Sequence, residues 1–269
     1  MYNVKVSEYL DSVEVSLYET PIHGHKKESD GIVIERNDES LEIYRFMAFQ
    51  CDNKKESDAE ENALHSYFVS FNRTKNKIYN YARANKWDWF LTFTFNPELV
   101  DSYNYDEVVF YMSDFLLTMT SFSRCGHGRN RMLKYLIVPE KHKSGRYHLH
   151  GVFSGIDLSL WKMTFSEHFT KGGLPIFNVG CFPYGFTTAT QVQNTTRCAH
   201  YISKYITKDM FDSIKNRKRY WVTHNCSDGE HNSFYMSPSE IKILLDSFGE
   251  CQYMKSVQTP YNSIKYFQF

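Results

Sequence analysis

The stretch Pro139 to Phe153, P-E-K-H-K-S-G-R-Y-H-L-H-G-V-F, decides how the rest of the chain reads. The apolar run Tyr135–Val138 leads into it, a Lys/Ser/Gly turn reverses it, and a second apolar run returns carrying His148 and His150. Side chains alternate faces along a strand, so histidines at i and i+2 project from the same side. If the two runs pair as a hairpin, Glu140 lies near the strand end and can swing toward the same patch. Two imidazole nitrogens and one carboxylate oxygen around open positions make a candidate metal site. Taken alone, an H-x-H on a strand is more often structural than catalytic, so its weight depends on what surrounds it.

Upstream, Trp87–Phe95 (W-D-W-F-L-T-F-T-F) is the strongest strand signal in the chain, bounded by Asn96-Pro97. Phe93 and Phe95 fall on one face, Thr92 and Thr94 on the other, as a central strand with one apolar and one small polar side requires. Downstream, Tyr184–Val192 reads as another strand and Thr195–Met210 as a helix. On that helix Tyr201 and Tyr205 share a face, as do Lys204 and Lys208. Such aromatic pairs commonly pack into a core. Amphipathic spacing also predicts helices over Ala63–Lys86, Tyr105–Ser121 and Ser237–Phe248. The basic face of the first is most simply solvated. Residues 154–184 lack clear periodicity and read as an insertion or lid.

The N-terminal region carries short apolar segments (Val4 to Leu17, Ile32–Ile34, Leu41–Phe49) that predict a small β appendage. His23 and His25 repeat the H-x-H spacing but flank Gly24 in a turn-rich stretch, so a solvated loop is expected. The charged link Cys51–Asn62 marks a boundary. The expected division is an acidic β-rich appendage over 1–61, a main domain over 62–215 and a C-terminal extension over 216–269.

A chain of 269 residues suffices for a sizeable core, and 42% hydrophobic with 23% charged residues is ordinary for a soluble globular protein. The aromatic content of 17% permits base stacking without requiring it. The zero net charge hides an asymmetry: residues 1–61 hold 15 acidic and 7 basic side chains, leaving 16 acidic and 24 basic in the remainder. A basic body fits a polyanionic partner. Between Arg124 and Arg146, seven basic residues (Arg124, Arg129, Arg131, Lys134, Lys141, Lys143, Arg146) face only Glu140 as an acid. The six cysteines are scattered without a C-x-x-C pair, which speaks against a disulfide framework or zinc knuckle. No signal-peptide pattern and no long apolar run is present, so a cytoplasmic protein with no membrane partner is expected.

A tyrosine hydroxyl, with an ordinary pKa of about 10, is a poor nucleophile at neutral pH. It becomes useful where a divalent ion polarises the electrophile, as in phosphodiester cleavage. Two His and one carboxylate with open positions suit Mg²⁺ or Mn²⁺, and Mn²⁺ tolerates imidazole better.

At this point the chain resembles the HUH endonucleases, specifically the rolling-circle replication initiator (Rep) proteins of plasmids and single-stranded-DNA phages. Three stretches carry the resemblance in order: Phe90–Phe95 (F-L-T-F-T-F) is similar to the first motif, His148-Leu149-His150 to the His-hydrophobic-His motif, and Tyr201–Lys208 (Y-I-S-K-Y-I-T-K) to the two-tyrosine form of the third. The resemblance covers roughly residues 63–215. It implies an α+β fold with a central antiparallel sheet of about five strands and helices packed on it, with the histidines on a central strand and the tyrosine helix against the same face.

It further implies that Glu140, His148 and His150 hold Mn²⁺ or Mg²⁺, and that Tyr201 and Tyr205 are alternative nucleophiles assisted by Lys204 or Lys208. The substrate would be single-stranded DNA at a replication origin, contacted by Arg129, Arg131, Lys141, Lys143, Arg146 and Arg197, with a host helicase and polymerase as further partners. No Walker-type G-x-x-x-x-G-K-[ST] run is present. Three other readings remain: a relaxase or transposase of the same superfamily, a zinc metallohydrolase using H-x-H with His200, and a non-catalytic DNA-binding relic. The later histidines (His168, His200, His224, His231) form no pattern that a zinc hydrolase would need, and a relic would have no use for intact ligands and nucleophiles.

Overall fold

A computed structural model describes residues 1–23, 58–125, 133–206, 214, 217–259 and 262–269. The expectations for Ile32–Ile34, Leu41–Phe49, His25, Arg129, Arg131 and Lys208 fall outside the described residues. The chain divides into two compact units, Met1–Asn76 with Gly229–Phe269, and Lys77–Asp228. The boundary thus falls inside helix α1 (Asp58–Arg83), not in the charged link before it.

The unit Lys77–Asp228 is built on a seven-stranded, wholly antiparallel sheet. Its strands in chain order are β3 (Trp89–Phe95), β4 (Lys134–Lys141), β5 (Tyr147–Ser154), β6 (Met163–Phe169), β7 (Pro175–Val179), β8 (Gly185–Gln191) and β9 (Trp221–Val222). Their spatial order is β6-β7-β8-β3-β5-β4-β9, which puts β3 and β5 in the interior. This is the α+β antiparallel architecture expected, with the short β9 and the irregular β6 added at the two edges.

Alternation along β3 sorts the faces. Trp89, Leu91, Phe93 and Phe95 are buried while Phe90, Thr92 and Thr94 are only partly so. On the buried face Phe93 meets Phe115, Phe153 and Phe182 at ring distances of 6.0, 6.0 and 5.1 Å. Phe115 belongs to helix α2 (Tyr105–Cys125), whose apolar stripe of Val108, Met112, Phe115, Leu116 and Met119 is buried. The spacing i, i+4, i+7, i+8, i+11 is that of one helix face against a sheet. The opposite face of the sheet carries helix α3 (Thr195–Ser203), capped by the Asn194 side chain accepting from the Arg197 N–H at 2.8 Å.

The opening hairpin joins β4 to β5 through Lys143-Ser144-Gly145, with the Gly145 N–H bonded to the His142 carbonyl and the His142 N–H to the Arg146 carbonyl, both at 2.8 Å. Gly145 sits at φ 88°, the left-handed position that closes a three-residue hairpin loop and that glycine occupies without a Cβ penalty. The stretch 154–184, read from sequence as an insertion or lid, instead supplies β6 and β7 to the sheet. Its periodicity is broken by a register shift between Phe165 and Phe169, where Glu167 takes φ 64°.

The other unit is a five-stranded antiparallel sheet in the order β10-β1-β2-β12-β11. Strands β1 (Tyr2–Glu8) and β2 (Val13–Ile22) come from the N-terminal end, and β10 (Glu230–Phe234), β11 (Tyr253–Gln258) and β12 (Ser263–Gln268) from the C-terminal end. The sequence reading treated these two ends as separate segments, but β1 pairs with β10 and β2 with β12. Helix α4 (Pro238–Ser247) completes it, with Ile241, Leu244 and Leu245 packed on Val4, Val6 and Val15. Among the described residues no helix is long and apolar enough to cross a membrane.

Candidate active site

The second face of the seven-stranded sheet gathers most of the residues that the sequence singled out. Register places Thr92 opposite His150 and Thr94 opposite His148 across β3 and β5, and Glu140 opposite His148 across β4 and β5. Directly opposed residues share a face, so one glutamate, two histidines and two threonines form a compact polar group. Each histidine is held in the same way, its Nδ1 lying 3.1 Å from a threonine Oγ1 of β3: Thr92 for His150, Thr94 for His148. Engaging one ring nitrogen fixes the ring and turns Nε2 to the opposite side, which is how outer partners orient imidazole ligands.

The two histidines differ in what their other sides meet. His150 is buried at 6% exposure, and its Nε2 lies 2.6 Å from Glu140 Oε2. Tyr205 lies flat on the His150 ring, with centroids 3.8 Å apart and planes 10° from parallel. His148 is half-buried and has the His142 ring 5.5 Å away. The hydrogen bond from His150, supported by the nearby imidazoles, holds the Glu140 carboxyl below the usual carboxylate range. Burial, with repulsion from His142 and His150, lowers the His148 pKa and favours its neutral form.

The tyrosines come together by a different route from the one expected. Helix α3 ends at Ser203, and the chain beyond continues in three-residue hydrogen-bond spacing: Lys204 N–H to Tyr201 O at 3.2 Å, Tyr205 N–H to Ile202 O and Ile206 N–H to Ser203 O at 3.3 Å each. Ile202 inside the helix and Ile206 beyond it are both buried, and three-residue spacing places Tyr205 differently from an α-helical i+4 position. Tyr201 and Tyr205 meet edge to face at 5.3 Å, and Phe90 of β3 contacts both Tyr201 (5.3 Å) and His150 (5.9 Å). Tyr201 is 49% exposed. Burial, then the neighbouring Tyr201 and the Glu140 charge, pushes the Tyr205 hydroxyl well above an ordinary phenol.

Lys204 is exposed at the end of α3, and Arg197 is exposed on its first turn. Lys141 and Lys143 are exposed on the hairpin, with the Lys141 ammonium 5.9 Å from the Tyr147 ring centre, and Arg146 packs over Tyr103 at 5.3 Å. His200 lies against Tyr79 of α1 at 5.3 Å. Sequence reasoning missed Phe90 and His142 and did not pair each threonine with its histidine. The signal for that pairing was present: threonines at i and i+2 on one strand match histidines at i and i+2 on the next.

Among the described residues, no group of three His, Cys, Asp or Glu side chains stands already arranged around a metal position. The donor set nevertheless suits a divalent ion: two oriented imidazoles, one of them favoured neutral, and a carboxylate favoured anionic.

One face of the antiparallel sheet thus carries two histidines and a carboxylate, with two tyrosines laid over them. Residues 88–210 match the family model of the replication-associated proteins of the ORF2 and gene 2 protein type, in accord with a rolling-circle replication initiator. The match takes in β3, the hairpin and both tyrosines. Searches of curated proteins and of solved structures returned no significant match. The match spans 123 of the 269 residues and points toward rolling-circle replication.

Proposed function

We propose that this protein initiates rolling-circle replication by nicking and rejoining single-stranded DNA through a 5′-phosphotyrosine. The observation that supports this most is the convergence of Glu140, His148 and His150 with Tyr201 and Tyr205 on one sheet face inside the family match. Glu140, His148 and His150 would hold Mn²⁺ or Mg²⁺, which when bound supplies charge stabilisation to the scissile phosphate.

The tyrosine Oη attacks phosphorus and the P–O3′ bond breaks. The proton lost by the phenol is balanced by the one gained at the departing 3′-hydroxyl. Attack by a 3′-hydroxyl on the phosphotyrosine reverses the step and reseals the strand. Tyr201, the more exposed of the pair, acts first; Tyr205, covered by its stack on His150, is kept for the second transfer. Lys204, with Lys208, neutralises the phosphate, and Lys141, Lys143, Arg146 and Arg197, with Arg129 and Arg131, contact the strand on either side. A host helicase and polymerase would use the freed 3′-hydroxyl. A zinc hydrolase using His200 draws no support from the family match, which is to replication-associated proteins.

The test incubates the protein and Mn²⁺ with single strands from the DNA flanking its gene and looks for an adduct that survives denaturation. Tyr201→Phe should lose the first nick, and the double Tyr201→Phe, Tyr205→Phe variant should form no adduct. An adduct from the double variant would refute the tyrosine assignment. Absence of any adduct from the wild-type protein with bound metal would refute the nicking reaction.

A further inference from the structure

Across the sheet, the row that contains His148 continues beyond the site. Glu140 is opposite His148, His148 opposite Thr94, and Thr94 opposite Phe186 of β8. Phe186 therefore projects from the same face as the histidines, two strand spacings, about 10 Å, from His148. Its side chain is 56% exposed, although it belongs to a strand with a paired neighbour on each side at its centre. Scattered exposed apolar residues are ordinary, and Phe110 and Leu117 are such cases on α2. Phe186 differs because of its row.

The backbone beside it is closely fitted. A Cβ at Gly185 would collide with the Thr94 carbonyl, so glycine lets β8 approach the strand that orients His148. The adjoining row, from His150 through Thr92, continues as Thr188 and Asn178. The surface that extends from the site is therefore one aromatic ring beside hydroxyl and amide groups, without a cation among these residues. Such a surface suits bases and sugars better than phosphates.

We infer that Phe186 is a stacking platform for an unpaired base flanking the scissile phosphate, with Thr188 and Asn178 alongside it. The inference rests on the DNA-nicking reading of the face. It commits to a single strand because a duplex has already stacked the base faces that the ring would cover. Phe186 is a positioning residue: it touches a neighbouring nucleotide and thereby sets where the phosphodiester lies relative to Tyr201.

The test measures anisotropy of fluorescein-labelled single strands tiling the DNA that flanks the gene, alongside adduct formation. Loss of one stacked base corresponds to ~5- to 150-fold in affinity, so Phe186→Ala should weaken binding within that range. Phe186→Trp and Phe186→Tyr should stay close to wild type, and Phe186→Leu, which keeps apolar bulk but no ring, should not. Replacing each nucleotide in turn by an abasic one should reveal a single position whose loss costs the wild-type protein and costs Phe186→Ala nothing further. Wild-type affinity in Phe186→Ala, additive losses at every abasic position, or a ring effect seen only with duplex would overturn the inference. If the wild-type protein binds strands yet forms no adduct, the nicking reaction fails while the affinity comparison still decides the role of Phe186.

Discussion

The two sheets are built from chain segments at very different separations. In the seven-stranded sheet, β4 and β5 are joined by a three-residue loop, and β3, β5 and β8 all lie within the family match. In the five-stranded sheet, Val4 pairs with Phe234 and Leu17 with Lys265. In the first sheet one face carries the histidines, Glu140 and the two threonines; the second buries Val4, Val6 and Val15 beneath α4. The difference teaches that the candidate chemistry is carried by locally organised strands, while the ends of the chain are joined into a second scaffold.

The sharpest way to probe that division is the core on the other side of the sheet from the histidines. Phe93→Ala removes a fully buried ring with three aromatic neighbours, and such truncations cost ~3–5 kcal/mol. Urea unfolding of the variant should show this loss. Unchanged stability would mean that the aromatic cluster is not the support for β3.

Next in size is the effect of metal. An ion bound only by the folded site stabilises by about 2.7 kcal/mol at 100 times its dissociation constant. Amide exchange should slow in β4 and β5 on adding Mn²⁺ and stay unchanged in β1 and β2. His148→Ala should abolish the response. Equal slowing in both sheets would remove the distinction drawn between them.

Smaller again is the loss of an orienting hydroxyl. Thr94→Val leaves His148 in place but removes the partner of its Nδ1. Outer partners of this kind are worth about 10- to 100-fold in metal affinity. Mn²⁺ titration calorimetry should show that loss for Thr94→Val, and for Thr92→Val at His150. Wild-type affinity in both would show that the threonines only fill space.

These particulars also mark what the sequence could and could not disclose. Alternation in W-F-L-T-F-T-F and H-L-H made the faces of β3 and β5 legible, and the hairpin followed from its turn residues. The fine fit did not follow. The turn beyond Ser203 departs from α-helical spacing, and local periodicity carries no record of that. Strands β6 and β7 were hidden by a bulge and by partial exposure of both faces. The pairing of β1 with β10 and β2 with β12 depends on contacts more than 200 residues apart, which no window of sequence reports.

The smallest expected effect tests the terminal sheet by itself. Helix α4 starts with a reciprocal cap: the Ser237 side chain accepts from the Glu240 N–H, and the Glu240 carboxylate accepts from the Ser237 N–H at 2.7 Å, with Pro238 in the first turn. These bonds hold the Glu240 pKa below its usual value. Ser237→Ala removes the hydroxyl and should cost about 1 kcal/mol, the ordinary worth of a serine cap. Since α4 covers Val4, Val6 and Val15, amide exchange should quicken in β1 and β2. Adduct formation by Tyr201 should be unchanged, because Ser237 touches neither the histidines nor the tyrosines. A loss of adduct formation without any change in exchange would show that the terminal sheet takes part in the reaction and is more than a scaffold.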